Sequence, residues 1–152
     1  MFVRMRETFP PRAIEYLLAA ITFMWGVQLH RMGDTFSSPV FVELARIANE
    51  SVWAWYCIIV GMVRLVALII NGAAPTGTPT IRAIFALFGA IFWLQVSLAF
   101  WSNANPGSTA LAVYPLLCLA DVYSCLRASG DAGLAKHEKM RQHRNGTVQR
   151  AT

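Results

Sequence analysis

The chain has 152 residues, 56% apolar and only 14% charged, with a formal net charge of +5 and a mean hydropathy of +0.46. An ordinary soluble domain is about 25% charged, so this composition speaks against a soluble enzyme and excludes disorder, a disulfide scaffold and a large catalytic domain. Apolar residues come in blocks of roughly 17–20, enough to cross a hydrocarbon core about 30 Å thick. The fold class expected is an all-α polytopic membrane protein, with four transmembrane helices in an antiparallel bundle and one amphipathic outer helix.

In chain order, residues 1–12 form a basic N-terminal segment with Arg4, Arg6 and Arg12, and the first span covers 13–29. That span is not followed by the small-residue cleavage site of a signal peptide. It ends in Gln28, Leu29, His30 and Arg31, so it is read as retained.

Asp34 to Ser38 reads as a turn, with Ser38 as an N-cap and Pro39 at the first helical position. An amphipathic helix over 39–50 follows. Val40, Phe41, Leu44, Ile47 and Ala48 mark its apolar side, and Glu43, Arg46, Asn49 and Glu50 its polar side. It either lies flat on the outer leaflet or runs on into the second span, 52–70. An unbroken helix from Pro39 to Ile70 would be about 48 Å long.

The stretch Asn71 to Thr80 is rich in turn formers, with Pro75 and Pro79 opposing a helix. The third span, 83–101, carries Gln95 and a small-residue face of Ala86, Gly89 and Ala90. A short uncharged hairpin at 103–109 leads to the fourth span, 110–126. Pro115 is expected to kink that span, and the basic tail, 127–152, reads as disordered.

Orientation follows the cations. With both termini cytoplasmic, ten of the thirteen basic residues lie inside, Arg82 among them. Arg31 and Arg46 lie outside, and Arg64 is within the second span. Trp25, Trp53, Trp55, Tyr56, Trp101 and Tyr114 would then form an outer aromatic belt, with Trp93 deeper.

Arg64 is the most informative residue, because a charge inside an apolar span is costly unless paired or hydrated. Counted from the cytoplasmic end, Arg64 and Asp121 fall at the same depth in the second and fourth spans. The two readings are an ion pair joining the spans or a polar path for ions, protons or substrate. Glu15, a turn nearer the inner interface, and Gln95, nearer the outer leaflet and suited to an interhelical hydrogen bond, complete the inward-facing polar set.

Cys57, Cys118 and Cys125 all fall within spans and form no CxxC, so they read as small hydrophobes. Of His30, His137 and His143, only His30 is near a span, which speaks against haem. There is no Ser/His/Asp set, metal-ligand spacing or phosphate-binding glycine loop. The sequence predicts no enzyme, no metal and no cofactor. The tail KHEKMRQHR lacks interleaved aromatics, so its expected partner is anionic lipid rather than nucleic acid.

The stretch GDTFSSPVFVELARIANESVW, Gly33 to Trp53, set between two apolar spans, resembles small membrane proteins of tailed phages. The several spans with a charged tail, and MFVRMR with Met1 and Met5 around Arg4, are similar to holins with a dual start. Four spans with both ends inside, and an ordered outer helix, depart from the commonest holin pattern. The resemblance implies a bacterial (host) inner-membrane location and a homo-oligomer that permeabilises the bilayer. The alternative is a membrane adaptor or exclusion factor that binds a host or virion protein through Glu43, Arg46 and Glu50. A third reading is a small transporter working through Asp121.

Overall fold

The structure is a computed structural model that describes residues 2–70, 78–102 and 108–149. The centres of the two expected loops, 71–77 and 103–107, lie outside the described residues. Among the described residues the chain is all-helical, with no strand.

The first helix, α1, is Phe2–Met32. It stops at Gly33, whose φ of 67° lets its N–H turn back to the Leu29 carbonyl at 3.1 Å. Glycine adopts that left-handed cap without the Cβ clash other residues meet.

The outer segment differs from its sequence reading. Two single 3₁₀ turns, Thr35–Ser37 and Pro39–Phe41, precede a helix of only six residues, α2, Val42–Ile47. Ser38 has extended cap geometry, but its hydroxyl makes no capping bond. Ala48, at φ −157° and ψ 158°, ends α2. The next helix, α3, Glu50–Ile70, is therefore not its continuation. The break has a local cause: Asn49 Oδ1 accepts the Val52 N–H at 2.9 Å. Asparagine at an N-cap satisfies a donor that the first turn would otherwise leave open.

Helix α4 is Thr78–Ser102. Thr78, Pro79 and Thr80 thus belong to its first turn and not to a loop. Proline is tolerated there because its missing N–H would have had no helical partner. Helix α5 is Ala110–Gln149, and it continues through Pro115 and into the tail expected to be disordered, as far as Gln149. Good helix formers (Ala, Leu, Lys, Met, Arg, Gln) make up just over half of that stretch and offset Gly130 and Gly133, and Ala128 and Asp131 tie its start to the bundle.

Among the described residues three helices are long and apolar enough to cross a membrane: Glu50–Ile70, Pro79–Ser102 and Ala110–His137. The first expected span lies within α1, which is not among them. Glu15, Thr22 and Gln28 dilute its apolar run, and cations flank it.

Close packing rests on small residues. A Cβ on Gly26 would lie 2.7 Å from the Ala54 carbonyl oxygen, and one on Gly61 would lie 2.6 Å from the Phe23 nitrogen. Those glycines let α1 and α3 approach backbone to backbone. Between α4 and α5, the Cys118 thiol donates to the Ala90 carbonyl at 3.4 Å, and Trp93 stacks on Tyr114 at 5.6 Å. Tyr56 joins α3 to α4 by donating to the Phe88 carbonyl at 2.8 Å.

The aromatic belt is also revised. Trp53, Phe92 and Trp93 are buried, and Trp25, Tyr56 and Tyr114 pack against them. Only Trp55 and Trp101, 52% and 74% exposed, face outward as a belt requires. Trp25 meets Phe92 edge to face at 4.9 Å, and Phe92 meets Trp93 likewise at 4.8 Å. Aromatic quadrupoles favour that arrangement.

Candidate functional site

Buried charge is concentrated at two levels of the bundle. The deeper level joins α3 to α5. Arg64 Nη2 lies 2.6 Å from Asp121 Oδ1, with the side chains 3% and 0% exposed. The structure therefore brings together the two residues that the depth count placed level with each other. Gly89 of α4 makes the room: a Cβ there would fall against Asp121 Oδ2 and 2.9 Å from Arg64 Nη1. The small face Ala86, Gly89 and Ala90 is buried within the chain, so it serves an internal contact. The Arg64 Nη1 and Asp121 Oδ2 atoms are buried without a hydrogen-bond partner. This pair is enclosed and only partly satisfied.

The second level was missed in the sequence. Arg82, counted there as an inner-loop cation, is buried at the start of α4 and grips Glu15 of α1. Its Nε donates to Glu15 Oε2 at 2.9 Å, and its Nη2 donates to Oε1 at 2.5 Å and Oε2 at 2.7 Å. Its Nη1 reaches Asp131 Oδ2 of α5 at 3.3 Å. Glu15 thus belongs to a separate cluster and not to the Arg64–Asp121 group. Arg12 lies close by: burial and the neighbouring Arg82 push its pKa below the ordinary value, against the pull of Glu15 and Asp131. The signal available in the sequence was the bidentate fit of a guanidinium to a carboxylate, with Glu15 and Arg82 both at the N-terminal ends of the apolar spans 13–29 and 83–101.

Buried hydroxyls are satisfied locally. Thr22 Oγ1 donates to the Leu18 carbonyl at 3.0 Å, and Ser124 Oγ to the Ala120 carbonyl at 2.9 Å. Such back-bonding within a helix removes a polar atom's need for an outside partner. Gln95 was expected to bridge helices, yet its Oε1 is buried without a partner. Cys57 is buried, and Cys118 and Cys125 are half-buried, all as free thiols. Among the described residues no three His, Cys, Asp or Glu side chains could hold a metal ion.

At the other end, the segment between α1 and α3 is strapped onto the bundle. Glu50, assigned to the polar outer face, instead turns inward. Its carboxylate accepts the Thr35 and Phe36 N–H groups at 3.0 and 3.1 Å. Trp53 Nε1 donates to the Leu44 carbonyl at 3.1 Å, and Phe41 packs on Phe36, Trp25 and Phe100. Ile47, assigned to the apolar face, is exposed, whereas Leu44 is buried. A six-residue helix held from both ends buries the side its tethers dictate. Glu43 and Arg46 do face outward, paired at 2.9 Å.

No protein-family model, curated protein or solved structure matches the chain. Three apolar helices are compatible with membrane association.

Proposed function

We propose that this chain is a four-span integral membrane protein that acts as an adaptor, presenting its strapped outer segment to a partner protein. Helix α1 is taken as the fourth crossing. It packs along α3 through Gly26 and Gly61 and turns Ile14, Leu17 and Met24 outward. The pairings of Gly26 with Ala54 and of Gly61 with Phe23 support an antiparallel arrangement. The excess of cations at one end supports cytoplasmic termini, in a bacterial inner membrane.

One observation carries the adaptor reading: the interior charges are spent on ion pairs inside one chain, while the outer segment is held in a defined shape. A holin-like assembly needs a polar face to line its lesion. To supply one from Arg64, Asp121 and Glu15, the chain would have to open two buried pairs. The competing holin reading keeps one feature in its favour, an exposed apolar stripe on α3 at Val52, Trp55, Ile59, Met62, Val66 and Ile69. Spacing of three and four residues suits helix association.

The deciding measurement is membrane potential during induced expression in a bacterial host, with a second version starting at Met5. An intact potential at high expression is expected. Abrupt depolarisation, earlier for the shorter product, would overturn the adaptor reading in favour of a holin. If the potential holds, Glu43→Lys and Arg46→Glu should abolish partner capture without disturbing insertion.

A further inference from the structure

Two cavities of about 430 and 360 Å³ adjoin along α4, from Trp101 at its end to Phe88 near its middle, with Ile47 of α2 on the border of both. The first is walled by Leu44, Leu98 and Trp101, and the second by Val52, Phe88 and Ile91. Ile47 and Gln95 border both, which makes them neighbours along one groove. Each is within the size range of small-molecule sites. The polar residues of the first cavity are Glu43, Arg46, Gln95 and Ser102, and the rest of its wall is apolar. Beside the first cavity stands the Glu43–Arg46 pair, with side chains 40% and 72% exposed.

We propose that this groove holds one phospholipid with a zwitterionic headgroup, an ammonium and a phosphate, of the phosphatidylethanolamine type. The site rests on the membrane-spanning reading above. An acyl chain lies along the apolar walls, the phosphate meets Arg46 and the ammonium meets Glu43. Charge complementarity selects this occupant. The Glu43–Arg46 pair presents both signs side by side, and an anionic headgroup would leave Glu43 facing negative charge. An exposed ion pair contributes little by itself, so exchanging it for two headgroup contacts sacrifices little. The exposed Trp101 ring beside the mouth suits the headgroup level, where amphipathic rings are favoured.

The test uses the full chain in nanodiscs of equal phosphatidylethanolamine and phosphatidylglycerol, released into mild detergent and weighed by native mass spectrometry. One retained phosphatidylethanolamine per chain is expected, favoured over phosphatidylglycerol by about fivefold or more. Glu43→Gln should erase that preference while a lipid is still retained. Leu98→Trp, which fills the groove from an exposed position, should lose the lipid while helicity stays unchanged. Equal retention of the two lipids, or a preference that survives Glu43→Gln, would overturn the headgroup assignment. Retention unaffected by Leu98→Trp would show an ordinary surface lipid and overturn the site. A chain that fails to enter nanodiscs would remove the membrane-spanning reading itself, a result separate from either of these.

Discussion

The two buried ion pairs use the same chemistry in opposite ways. Glu15–Arg82 is a fork-to-carboxylate contact linking α1 to α4, and Arg82 also reaches Asp131 on α5, which is partly exposed. Arg64–Asp121 is a single close approach sealed among α3, α4 and α5, with Arg64 Nη1 and Asp121 Oδ2 left without partners. The first keeps most of its hydrogen-bonding capacity in use, near the end of the bundle. The second depends on Coulomb attraction in an apolar interior, where an unpaired charge is most expensive. Burial by itself therefore says little about how a charge is tolerated. The number of satisfied atoms and the access of water decide it.

The largest expected effect breaks the deeper pair. Arg64→Leu should lower stability by about 3–5 kcal/mol, because it strands a buried carboxylate. The Arg64→Leu/Asp121→Leu double variant should recover most of that loss, as apolar replacements of whole buried pairs commonly do. A denaturant series on the single and double variants in detergent gives the coupling. A double variant no better than the worse single would show that the pair is not what joins α3 to α5.

Arg82→Leu sharpens the contrast from the other side. It should cost about 2–4 kcal/mol, because it strips the buried Glu15 carboxylate of its bidentate partner. The loss should be smaller than that of Arg64→Leu in the same unfolding series, since this cluster lies at the bundle end. Gly89→Ala comes next. The added Cβ must displace Asp121 or Arg64, for a loss of about 1–3 kcal/mol typical of overpacking, visible as a lower thermal midpoint. In an Arg64→Leu/Asp121→Leu background the same substitution should cost much less. Asp131→Asn is the smallest. Its half-exposed contact at 3.3 Å should contribute no more than about 1 kcal/mol, and its loss should leave the Glu15–Arg82 grip intact.

Some of this was legible in the chain because it is one-dimensional. Hydropathy marks four apolar blocks, of which the second, third and fourth are long and apolar enough to cross a membrane, and counting from their ends sets Arg64 level with Asp121. Propensity carries further signals. Asn49 is a strong N-cap one residue before α3, and Pro79 sits where a helix start accepts proline. Glu15 was placed with the wrong partners because depth alone does not say which way a side chain faces. The aromatic belt failed for the same reason: Trp53 and Trp55 are two residues apart on one helix, so one turns into the core while the other turns out.

Helical, strongly apolar and charge-asymmetric character is written along the chain. Those properties follow from composition and from distance along the chain. That Arg82 reaches Glu15, that Gly89 opens the space for Arg64 and Asp121, and that Glu50 pulls the outer segment back over the bundle all arise from packing in three dimensions. Each of these depends on the rotation of a helix about its axis and on which neighbour it meets. Apolar surface on every side of these helices leaves that rotation unspecified until the charges and glycines find one another.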